Sequence, residues 1–359
     1  MTSPQSRTKI NVDALLRMLA VLLVVFNHAA MYGVEATMNF GGGMTVLMML
    51  SGLSFARFTL SASISDPVSL RSSIQKMIVG LAVPMFVVDA LYMIFKHKFS
   101  LGEFLFVSNF YTEDHIGPGP EWYIFCVIQI LVGIYISTFI NPLREAFEKR
   151  PLTCSTAIFA ASVAVAFVFP LIWNTSALEN RLPHLLFWNF TLGWVIFYFQ
   201  KSGPKFGIVQ KFLLIAAAFA AGGIYWKFSA PNTYILSISM IILLFANDVH
   251  VPKLLKSFTL VTNKALYYIF LLNYLGLFVY VHTIKLPFSL AAWVFATLFS
   301  IGIWAVVDAG WKALRMTRWP SREVEDRGVS AINLAPDVLT GTLPAPQQSG
   351  TRQQDFAAG

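Results

Sequence analysis

Ten nearly unbroken apolar runs, separated by short polar segments, set the pattern of the chain. They cover Ala14–Tyr32, Met44–Leu60, Ile78–Phe95, Trp122–Ile140, Thr153–Trp173, Leu185–Phe199, Phe212–Trp226, Tyr234–Ala246, Leu266–Val281 and Phe288–Val307. A helix needs about 20 apolar residues, with about 17 as the lower limit, to cross a bilayer. The sixth to ninth runs fall short of that length, and Tyr234–Ala246 is the shortest. The pattern predicts an all-α polytopic membrane protein of about ten transmembrane helices. Residues 1–13 are expected to precede the bundle as a cytoplasmic segment, 14–310 to form the membrane domain, and 311–359 to form a basic segment and a disordered cytoplasmic tail.

Charge fixes the expected orientation. Ten spans with the N-terminus inside put 20 of the 26 Lys and Arg residues on the cytoplasmic side and five outside, with Arg17 inside the first run. That bias is the one expected of cytoplasmic loops, and it places both termini in the cytoplasm. Losing the eighth span would invert everything after it. Only 12% of the residues are charged and 56% are hydrophobic, against about 25% charged in a soluble domain. The net charge of +8 is therefore read as topological, with no nucleic acid partner. Cys126 and Cys154 lie in apolar runs and read as packing residues, with no metal framework. The polar start MTSPQSRTKINVDA lacks the features of a cleavable signal peptide.

Ionisable groups inside a span are costly and point to function. The first run reads DALLRMLAVLLVVFNHAAMY, in which Arg17 and His28 are eleven residues apart. At about 100° per residue they share a helix face, offset by roughly 20°. At a rise of about 1.5 Å they stand roughly 16 Å apart. A guanidinium offers a charged fork for phosphate, and a neutral imidazole can take a proton from a hydroxyl near pH 7. The plainer alternative is that Arg17 snorkels and pairs with Asp13, while His28 bonds a carbonyl.

On these residues the chain resembles the integral-membrane acyltransferase-3 family, whose hallmark is Arg-x10-His in the first span. GGGMTVLMMLSGLSFAR (Gly41–Arg57) is similar to the family's second span. Arg71 and Lys76, ahead of Pro84, resemble its basic stretch before a Pro-containing third span. GPEWYI (Gly119–Ile124) resembles the start of its fourth span, and ALYYIFLLN (Ala265–Asn273) a stretch near its C-terminal end. The chain departs from the family where Met18 replaces a Gly after the Arg, where Asp13 stands four rather than three residues before it, and where Asn273 replaces a second His.

The resemblance implies an O-acyltransferase, most simply an O-acetyltransferase, of the cell inner membrane. It would move an acyl group from acyl-CoA, a co-substrate rather than a bound cofactor, to a hydroxyl of an extracytoplasmic polysaccharide or glycolipid. His28 and Arg17 are the implied catalytic residues. Arg17, Arg71 and Lys76 are the implied donor-binding residues, and Glu121, Trp122 and Asn273 the acceptor-side candidates. Membrane lipids and other polysaccharide biosynthesis proteins are the expected partners. Glu35, Asp114 and His115 read as solvated loop charges, His282 as a surface cap, and Ser51-Gly52 as a helix-packing site. The competing readings are a transporter or flippase of a lipid-linked saccharide, for which Asp89 is the main candidate, and a non-catalytic scaffold of a polysaccharide assembly complex.

Overall fold

The computed structural model describes residues 7–31, 41–110, 122–173, 181–203, 207–284 and 289–318. A short strand, β1 (Arg7–Asn11), leads into α1 (Val12–Met31). Next come α2 (Gly43–Phe55), a π-helical turn over Ala56–Leu60, and the single turn α3 (Ser61–Ser63). They are followed by α4 (Pro67–Lys96), α5 (Leu101–Phe104), a 3₁₀ turn at Ser108–Phe110, α6 (Trp122–Ser137), α7 (Asn141–Lys149) and α8 (Pro151–Ile172). The rest comprises α9 (Pro183–Lys201), α10 (Ile208–Trp226), α11 (Pro231–Phe245), β2 (Asp248–Pro252), α12 (Lys253–Val279) with a π-helical turn at Tyr280–Ile284, and α13 (Ser289–Arg318).

Local chemistry marks the helix starts. Pro67, Pro151, Pro183 and Pro231 open α4, α8, α9 and α11, where a missing N–H costs nothing and the fixed φ suits the first turn. The Asp66 side chain caps α4 by accepting from the Val68 amide at 3.0 Å.

The centre of the bundle is the α2–α9 pair. A Cβ on Gly52 would run into the Phe190 carbonyl, and one on Gly193 into the Met49 carbonyl and the Leu53 amide. The two backbones touch, as small residues allow between apolar helices. Ser51-Gly52 thus has the packing role its sequence suggests. α1 lies against α2, α12 and α13, α8 against α9, and α10 against α11. The outer helices turn large apolar side chains away from the protein, such as Val83 and Leu91 on α4 and Leu171 on α8, which is 85% exposed. A surface of that kind calls for an apolar solvent.

Among the described residues, seven helices are long and apolar enough to cross a membrane, or eight if α6 and α7 form one bent span. The chain is thus an all-α polytopic membrane protein by architecture. Each of the ten apolar runs lies on a helix, and three fall outside that set for distinct reasons. α6 ends at Ser137 and the chain turns by 97° into α7. α11 has 15 residues. α9, with 19 residues, carries His184, Asn189 and Thr191 and is enclosed by its neighbours rather than facing outward.

Three boundaries differ from the pattern. Residues 7–11 are a strand, paired antiparallel with β2 from Arg7↔Pro252 to Asn11↔Asp248 and tied by Lys9 to Asp248 at 2.8 Å. The alternation of Ile10 with Val249 and Val251 lies in segments too short and polar to stand out. α1 begins at Val12 rather than at 14. α13 runs past residue 310 to Arg318, so the basic segment begins as helix.

Candidate functional site

Arg17 and His28 lie on α1 as the spacing predicts, in very different surroundings. Arg17 is 2% exposed. Its Nη2 donates to the Leu50 carbonyl at 2.8 Å and to the Ser54 hydroxyl, both on α2. It does not snorkel. Asp13 pairs with Arg57, at 2.6 Å, so two arginines and one carboxylate gather where α1 meets the end of α2.

His28 meets α12. Its Nδ1 lies 2.8 Å from the Asn273 Oδ1, and its ring packs on Tyr274 with centroids 4.5 Å apart. The Asn273 amide nitrogen is committed to two carbonyls of its own helix, Ile269 at 2.9 Å and Phe270 at 2.6 Å. The amide oxygen is therefore the group presented to His28, and Nδ1 must be the donor. In a neutral imidazole that network assigns the lone pair to Nε2. Asn273 can orient a base without carrying a proton itself.

At the same end of the bundle, reached from α1 by Asn27 rather than by His28, is a cavity of about 350 Å³ that neither His28 nor Asn273 lines. Asn27, Trp122, Tyr123, Arg181, Asn189 and Trp226 are among its lining residues. The Arg181 guanidinium stacks over Trp122 at 5.4 Å and acts electrostatically on His28. Burial lowers the Arg181 pKa from its ordinary value, with Tyr274 and Cys126 opposing, yet an arginine stays charged at neutral pH. Its backbone is pinned to α6 and to the 3₁₀ turn, because the Arg181 carbonyl accepts from Cys126 Sγ at 2.9 Å and Asn109 Nδ2 at 3.1 Å. Asn189, fully buried on α9, has no hydrogen-bond partner for either side-chain polar atom among the described residues.

A second, much smaller void of about 30 Å³ lies deeper, lined by Arg17, Ser51, Tyr123, Tyr267 and Phe270 among others. Tyr123 borders both spaces. Its hydroxyl shares a hydrogen bond of 3.2 Å with Ser51, and its ring packs on Phe270 at 5.0 Å. One tyrosine thus stands between the Arg17 void and the cavity next to Asn27.

Comparison with family models, with curated proteins and with solved structures returned no match.

The remaining sequence candidates scatter. Trp122 lines the cavity. Arg71 donates to the Pro67 carbonyl at 3.1 Å and stacks over Phe139 at 4.4 Å, and Lys76 is exposed. Neither lines the Arg17 void. Glu121, Glu35, Asp114 and His115 lie outside the described residues. His282 bonds the Phe278 carbonyl one turn back, at 2.9 Å. Asp89, 1% exposed, has neither carboxylate oxygen hydrogen-bonded among the described residues and lines neither space. Sequence reasoning passed over Tyr123, Arg181, Asn189 and Trp226. Asn189, an amide inside an apolar run, carried a usable signal.

Proposed function

We propose that this chain is a multi-pass O-acyltransferase of the cytoplasmic (inner) membrane, with ten spans and both termini in the cytoplasm. It moves an acyl group, in the simplest case acetyl, from a CoA thioester to a hydroxyl of a polysaccharide or glycolipid on the far side. The observation that carries this reading is the His28–Asn273 hydrogen bond, which leaves Nε2 as a base in a span otherwise apolar from Met18 to Phe26. Nε2 takes the proton of the acceptor hydroxyl as that oxygen attacks the thioester carbonyl. The new C–O bond forms, the C–S bond breaks, and the proton passes to the departing thiolate. General-base help of this kind is worth about 10²–10⁴-fold.

The cavity next to Asn27, one residue before His28, suits the acceptor. Trp122 and Trp226 offer flat apolar faces for a sugar ring, and the Asn189 amide offers one acceptor and two donors to hydroxyls. Arg17 takes a different part from the one the sequence suggests. With Nη2 held by α2, it places a fixed positive charge beside the inner void instead of turning its fork to a phosphate at the surface. Arg71 and Lys76, closer to the cytoplasmic loops, are left to attract the donor's phosphates. The resemblance to the acyltransferase-3 family supports the same reading, with Asn273 serving as an orienting group where other members carry a His.

The deciding experiment supplies acetyl-labelled acetyl-CoA to membranes containing the full chain. Label should appear on a saccharide or lipid-linked saccharide, and His28→Ala should abolish it. Label that stays on CoA with the wild-type chain, or an alanine variant as active as wild type, would overturn the reading. Asp89 is the one observation favouring the carrier reading, since a buried unpaired carboxylate suits ion coupling. A carrier would move saccharide across the bilayer with no acyl label and would fail as Asp89→Asn.

A further inference from the structure

A second cavity shares no lining residue with the one near His28. It is a groove of about 420 Å³ between α6, α7, α8 and α9, floored by Leu60 of the π-helical turn and Leu70 of α4. Its walls are apolar, with Ile134, Ile158, Phe187 and Trp194 among them. It opens outward along α6: a Cβ added to Gly133 would meet no atom within 4 Å. The neighbouring Val132 and Ile136 are themselves exposed, so the mouth lies on the apolar outer surface.

Two further features define what the groove can hold. Along α9 its lining runs from Pro183 to Trp194, a length of roughly 16 Å at 1.5 Å per residue. The hydrocarbon core of a bilayer is about 30 Å thick, so the groove matches the depth of one leaflet. At the Trp194 end lies α7, whose sequence NPLREAFEK is amphipathic. Phe147 anchors it inward, packing on Trp194 at 5.8 Å and on Tyr198 at 5.6 Å. The 97° bend from α6 lays α7 across the bundle as an interfacial helix lies in a membrane.

Arg144 projects from α7 into the groove lining. Its Nε is buried with no hydrogen-bond partner among the described residues. The nearest acid in sequence, Glu145, is drawn to Lys149 at 3.6 Å. An apolar slot one leaflet deep thus ends at a half-buried guanidinium that has no acidic partner among the described residues, at the level of the headgroups.

We infer that this groove binds one acyl chain of an anionic phospholipid, with the lipid phosphate on Arg144 and the chain lying along α9 past Gly133. The occupant comes from the leaflet in which α7 lies. His184, its ring against Phe169 at 4.0 Å, closes the far end. The bound chain packs on the π-helical turn that carries Arg57, and so on the Asp13–Arg57 pair at the foot of α1. This site is independent of the reaction proposed for His28.

Native mass spectrometry of the full chain in detergent tests the inference. The probes are phosphatidylglycerol and phosphatidylcholine with identical acyl chains, and glycerol phosphate as a headgroup without chains. One phosphatidylglycerol should bind about fivefold tighter than phosphatidylcholine, the usual value of one cation against an anionic lipid. Glycerol phosphate alone should not bind. Arg144→Gln should erase the preference and leave phosphatidylcholine binding unchanged. Gly133→Phe, which adds a ring where there is open space, should reduce binding of both lipids. Wild-type phosphatidylglycerol binding in both variants, or binding of the bare headgroup, would overturn the inference.

Discussion

The two polar residues of α1 share one helix face and differ in how much of their chemistry is already spent. Arg17 is sealed at one end with its guanidinium donating to Leu50 and Ser54 of α2. His28 sits at the other end with one ring nitrogen held by Asn273 and the other in reserve. The difference teaches that a costly buried group signals function only when part of its bonding capacity is left over. A cation whose Nη2 is committed to two acceptors of a neighbouring helix is first a fastener, even with its Nε unbonded among the described residues. A half-engaged imidazole keeps a nitrogen for the base role proposed for His28.

The widest break in this comparison should come from His28→Ala. Acyl transfer should fall by about 10²–10⁴-fold, while the melting temperature of the purified protein stays near wild type. A large drop in melting temperature would make His28 a fastener as well. Arg17→Met should do the reverse, leaving two buried acceptors without a charged donor and costing about 2–3 kcal/mol of stability, read as a lowered melting temperature in detergent. Arg17→Lys should recover little of that loss, because the lysine side chain is one bond shorter and its ammonium stops short of the position that Nη2 holds between both acceptors.

Two finer tests act on the surroundings of His28. Asn273→Leu removes the oxygen that receives Nδ1–H and frees the ring to exchange tautomers. The expected loss is about tenfold in kcat, the value of one hydrogen bond, with KM for the acceptor unchanged. A change confined to KM would place Asn273 in acceptor binding instead. Asn189→Leu is the mildest and the most diagnostic. Removing a buried amide that no side chain satisfies should leave stability equal or slightly higher, while KM for the saccharide rises about fivefold. A fall in both stability and binding would mean that the amide serves the bundle rather than the ligand.

Much of this was legible along the chain. Every apolar run became a helix, and Arg17 and His28 were visible as costly residues in a span. Their partners were hidden, since Leu50 and Ser54 are 33 and 37 residues from Arg17 and Asn273 is 245 residues from His28. Only packing brings those positions together. α7 escaped notice because a nine-residue amphipathic helix resembles a charged loop when judged by hydropathy alone. Tyr123 and Trp226 were masked by composition: with 15% aromatic residues, one more ring in a run carries little information. Asn189 could have been flagged by the same cost rule that singled out His28.

The β1–β2 ribbon has a consequence in time. It joins the strand ahead of α1 to the strand ahead of α12, the two helices that supply His28 and Asn273. A ribosome adds about 5–20 residues each second, so α1 waits roughly 12–50 s for its ribbon partner to be made. Throughout that interval the imidazole has no Asn273 to set its tautomer. If His28 acts as the base proposed for it, that base gains its orienting partner only once synthesis has passed Asn273, 245 residues after the histidine itself.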